Sequence, residues 1–102
     1  MFKQILVLSE VANRRTQHKV LGKCTEELGE IATIINKPRK IHAEAIEFEV
    51  ADLIVAATDL VYVHYKKKGV DLTIDQINTM LTDAVAKKNG KWAGQLQQKG
   101  LI

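Results

Sequence analysis

The sequence predicts an all-α protein, a bundle of four to five helices that occupies residues 1–102 as a single domain. Three observations favour this fold class. Pro38 is the only proline, the alternation of apolar and polar residues that is typical of strands is rare, and apolar residues recur at helical spacing. Hydrophobic residues make up 46% of the chain, which is enough for a core.

The first three predicted helices end at recognisable signals. The first covers about residues 2–13, and the second covers about residues 16–36. The second stops before Pro38 because the residue that precedes a proline resists helical geometry. The third covers about residues 42–68, and its three terminal lysines followed by Gly69 form the expected basic last turn and glycine stop.

A fourth predicted helix begins at Thr73. Thr73 and Gln76 have the spacing of a capping box, in which each residue satisfies a backbone N–H of the other. We expect this helix to run to about Asn89 and to be interrupted by Gly90. The remaining residues, 91–102, are expected to form a short further helix or a loose end.

The third helix is apolar nearly all round between Val50 and Val63. A helix of this kind is typically buried on all sides. A chain of 102 residues has too few other helices to cover it completely. We therefore expect a second subunit to cover part of it, most simply in a two-fold dimer.

Two pairs of carboxylates lie on or beside apolar helix faces. At 100° per residue, Glu27 falls inside the apolar arc of the second helix, Glu30 lies at its edge, and Glu26 lies further round. Glu49 and Asp52 lie on a stripe of small and apolar residues on the third helix. Each pair has i,i+3 spacing, and the short loop makes the two helices antiparallel neighbours, so the pairs are expected to meet.

Carboxylates that meet in a partly buried cleft repel one another, so either their pKa values rise or cations neutralise them. All-oxygen ligand sets suit Mg²⁺ or Mn²⁺, and Mg²⁺ commonly completes its coordination with substrate phosphates. A glutamate-rich segment alone is most often a solvated helix face. The second pair lies on an otherwise apolar helix and therefore favours a metal-dependent site that cleaves phosphoanhydrides.

The chain carries a formal net charge of +3, and its basic residues occur in clusters. These clusters are at residues 14–19, 37–40, 66–68 and 87–91. Solvated helix ends, a polyanionic small ligand and nucleic acid are the three interpretations of this pattern. The few aromatic residues and the acid-lined cleft argue against nucleic acid.

Cys24 is the only cysteine, so no disulfide can form within the chain. It lies on an apolar helix face, where a small buried hydrophobe is the ordinary interpretation. One cysteine and no secretory signal indicate a reducing, cytoplasmic setting. The longest apolar run, residues 53–63, is interrupted by Asp59 and is too short to span a membrane.

The segments EELGE at residues 26–30 and EVAD at residues 49–52 resemble a two-part family signature. The signature is E-E-x-x-E followed by E-x-x-D in the MazG-like all-α nucleoside triphosphate pyrophosphohydrolases. The resemblance extends over about residues 16–90. It implies an intertwined dimer or a tetramer, and a reaction in which a metal-bound water attacks the α-phosphorus of a nucleoside triphosphate. The products are the monophosphate and pyrophosphate.

The resemblance also implies roles for individual acids. Glu27, Glu30, Glu49 and Asp52 correspond to the ligands of Mg²⁺, and Mn²⁺ suits the same oxygen set. Glu26 corresponds to a further ligand or to the base that activates water.

The resemblance supports the roles of basic residues as phosphate contacts less strongly than it supports the roles of the acids. Many relatives carry a lysine, an asparagine and a second basic residue late in the fold. Lys88, Asn89 and Lys91 have this content in a compressed spacing, which is also typical of an ordinary helix C-terminus. Lys23, one turn before Glu27, is placed either to contact a phosphate or to pair with a neighbouring glutamate. The alternative function is a non-enzymatic helical interaction module.

Overall fold

A computed structural model describes residues 1–12 and 14–102, and within these residues it contains four helices and no strand. The helices are α1 (Lys3–Val11), α2 (Gln17–Asn36), α3 (Ile46–Lys67) and α4 (Ile74–Gln98). The all-α prediction is therefore confirmed. No helix among the described residues has the length and apolar character that a membrane span requires.

Helices α2 and α3 form an antiparallel hairpin. The side chain of Thr16 caps α2 by accepting a hydrogen bond from the backbone N–H of Lys19. At the same end of the hairpin, Nδ1 of His64 on α3 lies 3.1 Å from Oε1 of Gln17 on α2. Helix α3 begins later than the predicted residue 42, because the chain is still extended at Ala45 (φ −69°, ψ 159°).

The core lies at the end of the hairpin where α2 begins and α3 ends. All four helices contribute to it, and Leu6 of α1 and Ile77 of α4 are almost completely buried. The cluster consists of Phe2, Leu6, Val20, Tyr62, Val63 and Ile77. Burying an aliphatic side chain of this size stabilises the fold by about 1.5–3 kcal/mol. The other end of the hairpin, which carries the acidic segments, lies outside this cluster.

Helix α4 is longer than the sequence predicts. The capping box of Thr73 and Gln76 is present as expected, with the side chain of each residue accepting a hydrogen bond from the backbone N–H of the other. The predicted interruption at Gly90 is wrong, because α4 continues through Gly90 to Gln98. Glycine costs a helix only about 1 kcal/mol relative to alanine. The neighbouring Lys, Gln and Leu residues are good helix formers that offset this cost.

A single chain leaves much of its apolar surface uncovered. Its radius of gyration is 16.3 Å, whereas a compact domain of this length has about 13 Å. Its accessible surface is 7801 Å², whereas a compact monomer of this mass exposes about 5,800 Å². Val50, Ile54 and Val55 of α3 are exposed, so α3 is not buried on all sides within one chain.

Candidate metal centre

Three carboxylates meet across the α2–α3 hairpin. Glu27 of α2 and Glu49 and Asp52 of α3 each offer one oxygen, and these oxygens all lie within 4.8 Å of one another. The i,i+3 spacing puts Glu49 and Asp52 on one face of α3, and the antiparallel pairing brings Glu27 opposite them. We call these three residues the acidic triad.

Each member of the triad has a different exposure. Glu27 is buried, with 6% of its surface exposed, Glu49 is half-buried, and Asp52 is exposed. Burial of Glu27 follows from its position inside the apolar arc of α2. The triad is therefore anchored in the hairpin at one side and open to solvent at the other.

Lys23 is the cation nearest to Glu27. Its Nζ lies 3.0 Å from Oε1 of Glu27 and 3.5 Å from Oε1 of Glu26, one turn further along α2. The hydrogen bond to Glu27 is the main reason that the pKa of Lys23 is raised, and the charges of both glutamates add to it. In this chain Lys23 contacts carboxylates, which is the second of its two predicted roles.

Negative charge accumulates around Glu49. Its pKa is raised above the ordinary value, first because the side chain is partly desolvated and then because of the charges of four acids. These acids are Glu44, Asp52, Glu30 and Glu27. One lysine at Glu27 does not neutralise this group, so the site has the charge that favours a divalent cation.

The donor set fits a hard divalent cation. All three ligand atoms are carboxylate oxygens, which suit Mg²⁺, Mn²⁺ or Ca²⁺ and lack the nitrogen or sulfur that Zn²⁺ prefers. Three protein oxygens leave coordination positions free for water and substrate, as is common for Mg²⁺ sites.

A cleft of about 360 Å³ opens beside the triad. Glu27 and Asp52 line it together with Lys23, and α1 supplies an apolar wall that includes Ile5 and Leu8. This volume lies within the range of small-molecule sites. A ligand in this cleft would contact both the acids and an apolar surface.

Two of the predicted acids lie outside the triad. Glu30 is exposed on α2, and its charge contributes to the raised pKa of Glu49, which places it near the cluster. Glu26 is exposed and contacts Lys23. The roles of Glu30 as a ligand and of Glu26 as a base stay predictions.

The predicted phosphate contacts on α4 do not line the acidic cleft. Lys88, Asn89 and Lys91 are exposed residues in the second half of α4. None of them lines the cleft beside the triad. Within one chain they are separate from the site, and their assignment to substrate phosphates stays a prediction.

An ion pair between Arg15 and Asp59 forms another wall of the cleft. Nη1 of Arg15 donates a hydrogen bond to Oδ2 of Asp59, and Nη2 donates to the carbonyl oxygen of Ser9 at 2.9 Å. The sequence carries part of this signal, because Asp59 lies on the same stripe of α3 as Asp52. The partner is 44 residues away, and no local pattern identifies it.

No protein family, characterised protein or solved structure matches the chain significantly. Conclusions about function therefore depend on the geometry of the triad and its cleft, together with the sequence motif.

Proposed function

We propose that the chain is a Mg²⁺-dependent pyrophosphohydrolase that converts (deoxy)nucleoside triphosphates to monophosphates and pyrophosphate. The acidic triad is the observation that carries this proposal, because its three oxygens converge from two helices within 4.8 Å. Both halves of the MazG-like signature contribute to it, Glu27 from the first half and Glu49 and Asp52 from the second.

Each residue has a distinct task in this reaction. Glu27, Glu49 and Asp52 hold Mg²⁺, and Glu30 on the next turn of α2 supports them as a fourth acid. When bound, Mg²⁺ would lower the pKa of a coordinated water and would stabilise the negative charge of the phosphate oxygens. Glu26 would act as a further ligand or as the base that accepts a proton from the attacking water.

Lys23 stabilises negative charge beside the triad. Its ammonium group is already fixed next to Glu27, at the wall of the cleft. A cation held in place in this way can stabilise charge that develops on the leaving pyrophosphate without a further cost of reorganisation.

The active form is proposed to be a homodimer or a homotetramer. The chain exposes about 2,000 Å² more surface than a compact monomer of its mass, and obligate dimers bury surfaces of this size. Leu21, Leu28 and Ile35 lie seven residues apart on α2, and each is at least half exposed.

The test is a panel of canonical and modified nucleoside triphosphates incubated with Mg²⁺, with monophosphate and pyrophosphate measured separately. Glu27→Gln and Asp52→Asn should each lower turnover by more than about 100-fold, because even substitutions next to metal ligands cost 10–100-fold. Glu47→Gln is the matched control, since Glu47 is exposed on the first turn of α3 and is not in the triad.

Two results would contradict the proposal. Wild-type turnover by either triad variant would show that the triad is not the site. Failure to cleave any triphosphate, with a melting temperature that does not respond to Mg²⁺, would instead support a helical interaction module.

A further inference from the structure

A second cleft, of about 530 Å³, lies at the N-terminal end of α2, whereas Glu27 of the triad lies near the middle of this helix. Its lining contains the cations Arg14, Arg15, Lys66 and Lys67, together with His18, and no carboxylate among the described residues. Ser9, Thr16 and Tyr62 add hydroxyl groups to the wall. We call this cavity the basic cleft.

Most of these cations are free of carboxylate partners. Arg15 is paired with Asp59. Among the described residues, no carboxylate lies within salt-bridge distance of Arg14, Lys66 or Lys67. Nζ of Lys66 lies 5.5 Å from the centre of the Tyr62 ring, so it is held over the wall of the cleft. Three unpaired cations that surround one cavity repel one another, and a bound anion would relieve that repulsion.

The dipoles of two helices also change the electrostatic potential in the basic cleft. The N-terminus of α2 makes it more positive, and the C-terminus of α3 makes it less positive. The first turn of α2 borders the basic cleft and contains no acidic residue, so its positive end is uncompensated. The C-terminal end of α3 carries about half a negative charge. The two positive charges of Lys66 and Lys67 in its last turn are larger than this negative charge. A net positive charge therefore remains at this end of α3.

We propose that the basic cleft binds a small oligophosphate anion, with Arg14, Lys66 and Lys67 as its direct contacts. Lysine and arginine are the residues that proteins use for phosphate groups. A cavity of this volume suits a small molecule. A nucleic acid strand would need an extended basic surface with aromatic side chains for stacking, and Tyr62 is the only Phe, Tyr or Trp among the described residues that line the cleft.

The basic cleft adjoins the acidic cleft, and Ser9 and Arg15 line both, but no residue of the acidic triad lines the basic cleft. Gln17 at its edge and Glu27 in the triad are about 15 Å apart along α2. Arg15 lines both cavities and is the only cation shared by the two. Oligophosphate binding there requires no metal, so it does not depend on the proposed hydrolysis.

Calorimetric titration with inorganic tripolyphosphate in EDTA tests this inference on the full chain. The wild-type protein should bind, and the double variant Lys66→Gln/Lys67→Gln should weaken binding by at least about tenfold, since two charge-assisted contacts are lost. The double variant Lys87→Gln/Lys99→Gln is the matched control. It removes the same charge from α4 and its C-cap residue and should bind as the wild type does. Circular dichroism would check that both variants keep their helices.

Further outcomes separate this inference from its rivals. Asp52→Asn should leave tripolyphosphate binding unchanged, whereas markedly tighter binding by this variant would place the anion beside the carboxylates of the acidic cleft and overturn the proposal. Absence of binding by the wild type, or equal binding by both double variants, would also overturn it. Tighter binding of a single-stranded oligonucleotide than of tripolyphosphate, lost in Lys66→Gln/Lys67→Gln, would replace the small anion with nucleic acid.

Discussion

Glu27 of α2 and Glu49 of α3 place carboxylate oxygens within 4.8 Å of each other, although they belong to different helices. Two negative charges at this distance oppose the packing of the hairpin. A divalent cation converts the same arrangement into an attraction, since both carboxylates then contact one positive charge. Stability of the hairpin should therefore depend on metal.

Magnesium is expected to raise the melting temperature of the wild-type chain. Binding to the folded state alone adds about 2.7 kcal/mol when the ion is at 100 times its dissociation constant. For a chain of this size that corresponds to about 10 °C. Glu27→Gln should lose the effect because it removes the buried ligand, whereas Glu47→Gln should keep it. Circular dichroism can follow thermal unfolding of both variants with Mg²⁺ and with EDTA. If Mg²⁺ raises the melting temperature of Glu27→Gln as much as that of the wild type, the metal assignment is refuted.

Without metal, Glu49 is expected to destabilise the folded chain at neutral pH. Its pKa is raised in the folded state above the ordinary 4.5. The folded state therefore binds more protons than the unfolded state between the two pKa values, and stability falls as pH rises through this interval. In EDTA at neutral pH, Glu49→Gln should melt at a higher temperature than the wild type.

The difference between Glu49→Gln and the wild type should disappear below pH 4.5, where the carboxyl is protonated in both states. Melting curves recorded across this range provide the measurement. A variant that is less stable than the wild type in EDTA at neutral pH would show that Glu49 is not held among like charges.

The acidic triad could be predicted from the sequence because it depends on local geometry. Helical periodicity alone predicts that Glu27 faces the apolar side of α2, and the structure confirms that it is buried. The i,i+3 spacing of Glu49 and Asp52, with a short loop, is enough to predict that both meet Glu27, whereas Glu30 of the first predicted pair lies outside the triad. The ion pair of Arg15 with Asp59 was not predictable, since tertiary packing alone joins residues so distant in the chain.

Helix boundaries were harder to predict than helix positions. The sequence predicts a start of α3 that is too early, because no side-chain cap marks the observed start. Gly90 predicts a helix end because glycine often follows a last turn, but a glycine stop usually requires a left-handed backbone. Gly69 and Gly100 have positive φ angles, and Gly90 does not.

Replacing Gly90 with alanine is expected to stabilise the protein. Gly90 lies inside α4, and a Cβ atom there would meet no other atom within 4 Å. Alanine should therefore add about 0.5–1 kcal/mol to the free energy of unfolding. Gly69→Ala is the matched comparison, because its φ of 72° should make alanine cost about 1–2 kcal/mol. Urea unfolding of both variants checks this, and a destabilised Gly90→Ala protein would contradict a continuous α4.

A charge in the apolar stripe of α2 is expected to dissociate the proposed oligomer. The wild type should have a mass in solution of two or four times 11.4 kDa. Leu28 is 57% exposed at the centre of the stripe, between Leu21 and Ile35. Leu28→Glu would place an unpaired charge in a buried interface, which should raise the dissociation constant by more than about 100-fold.

Light scattering after size-exclusion chromatography measures the mass of wild type and variant at the same concentration. Val11→Glu is the matched control, since Val11 is an exposed apolar residue at the end of α1, off the α2 stripe. It should keep the wild-type mass. A monomeric wild type would contradict the proposed oligomer. If the Leu28→Glu variant is still oligomeric, the interface lies on a face other than the α2 stripe.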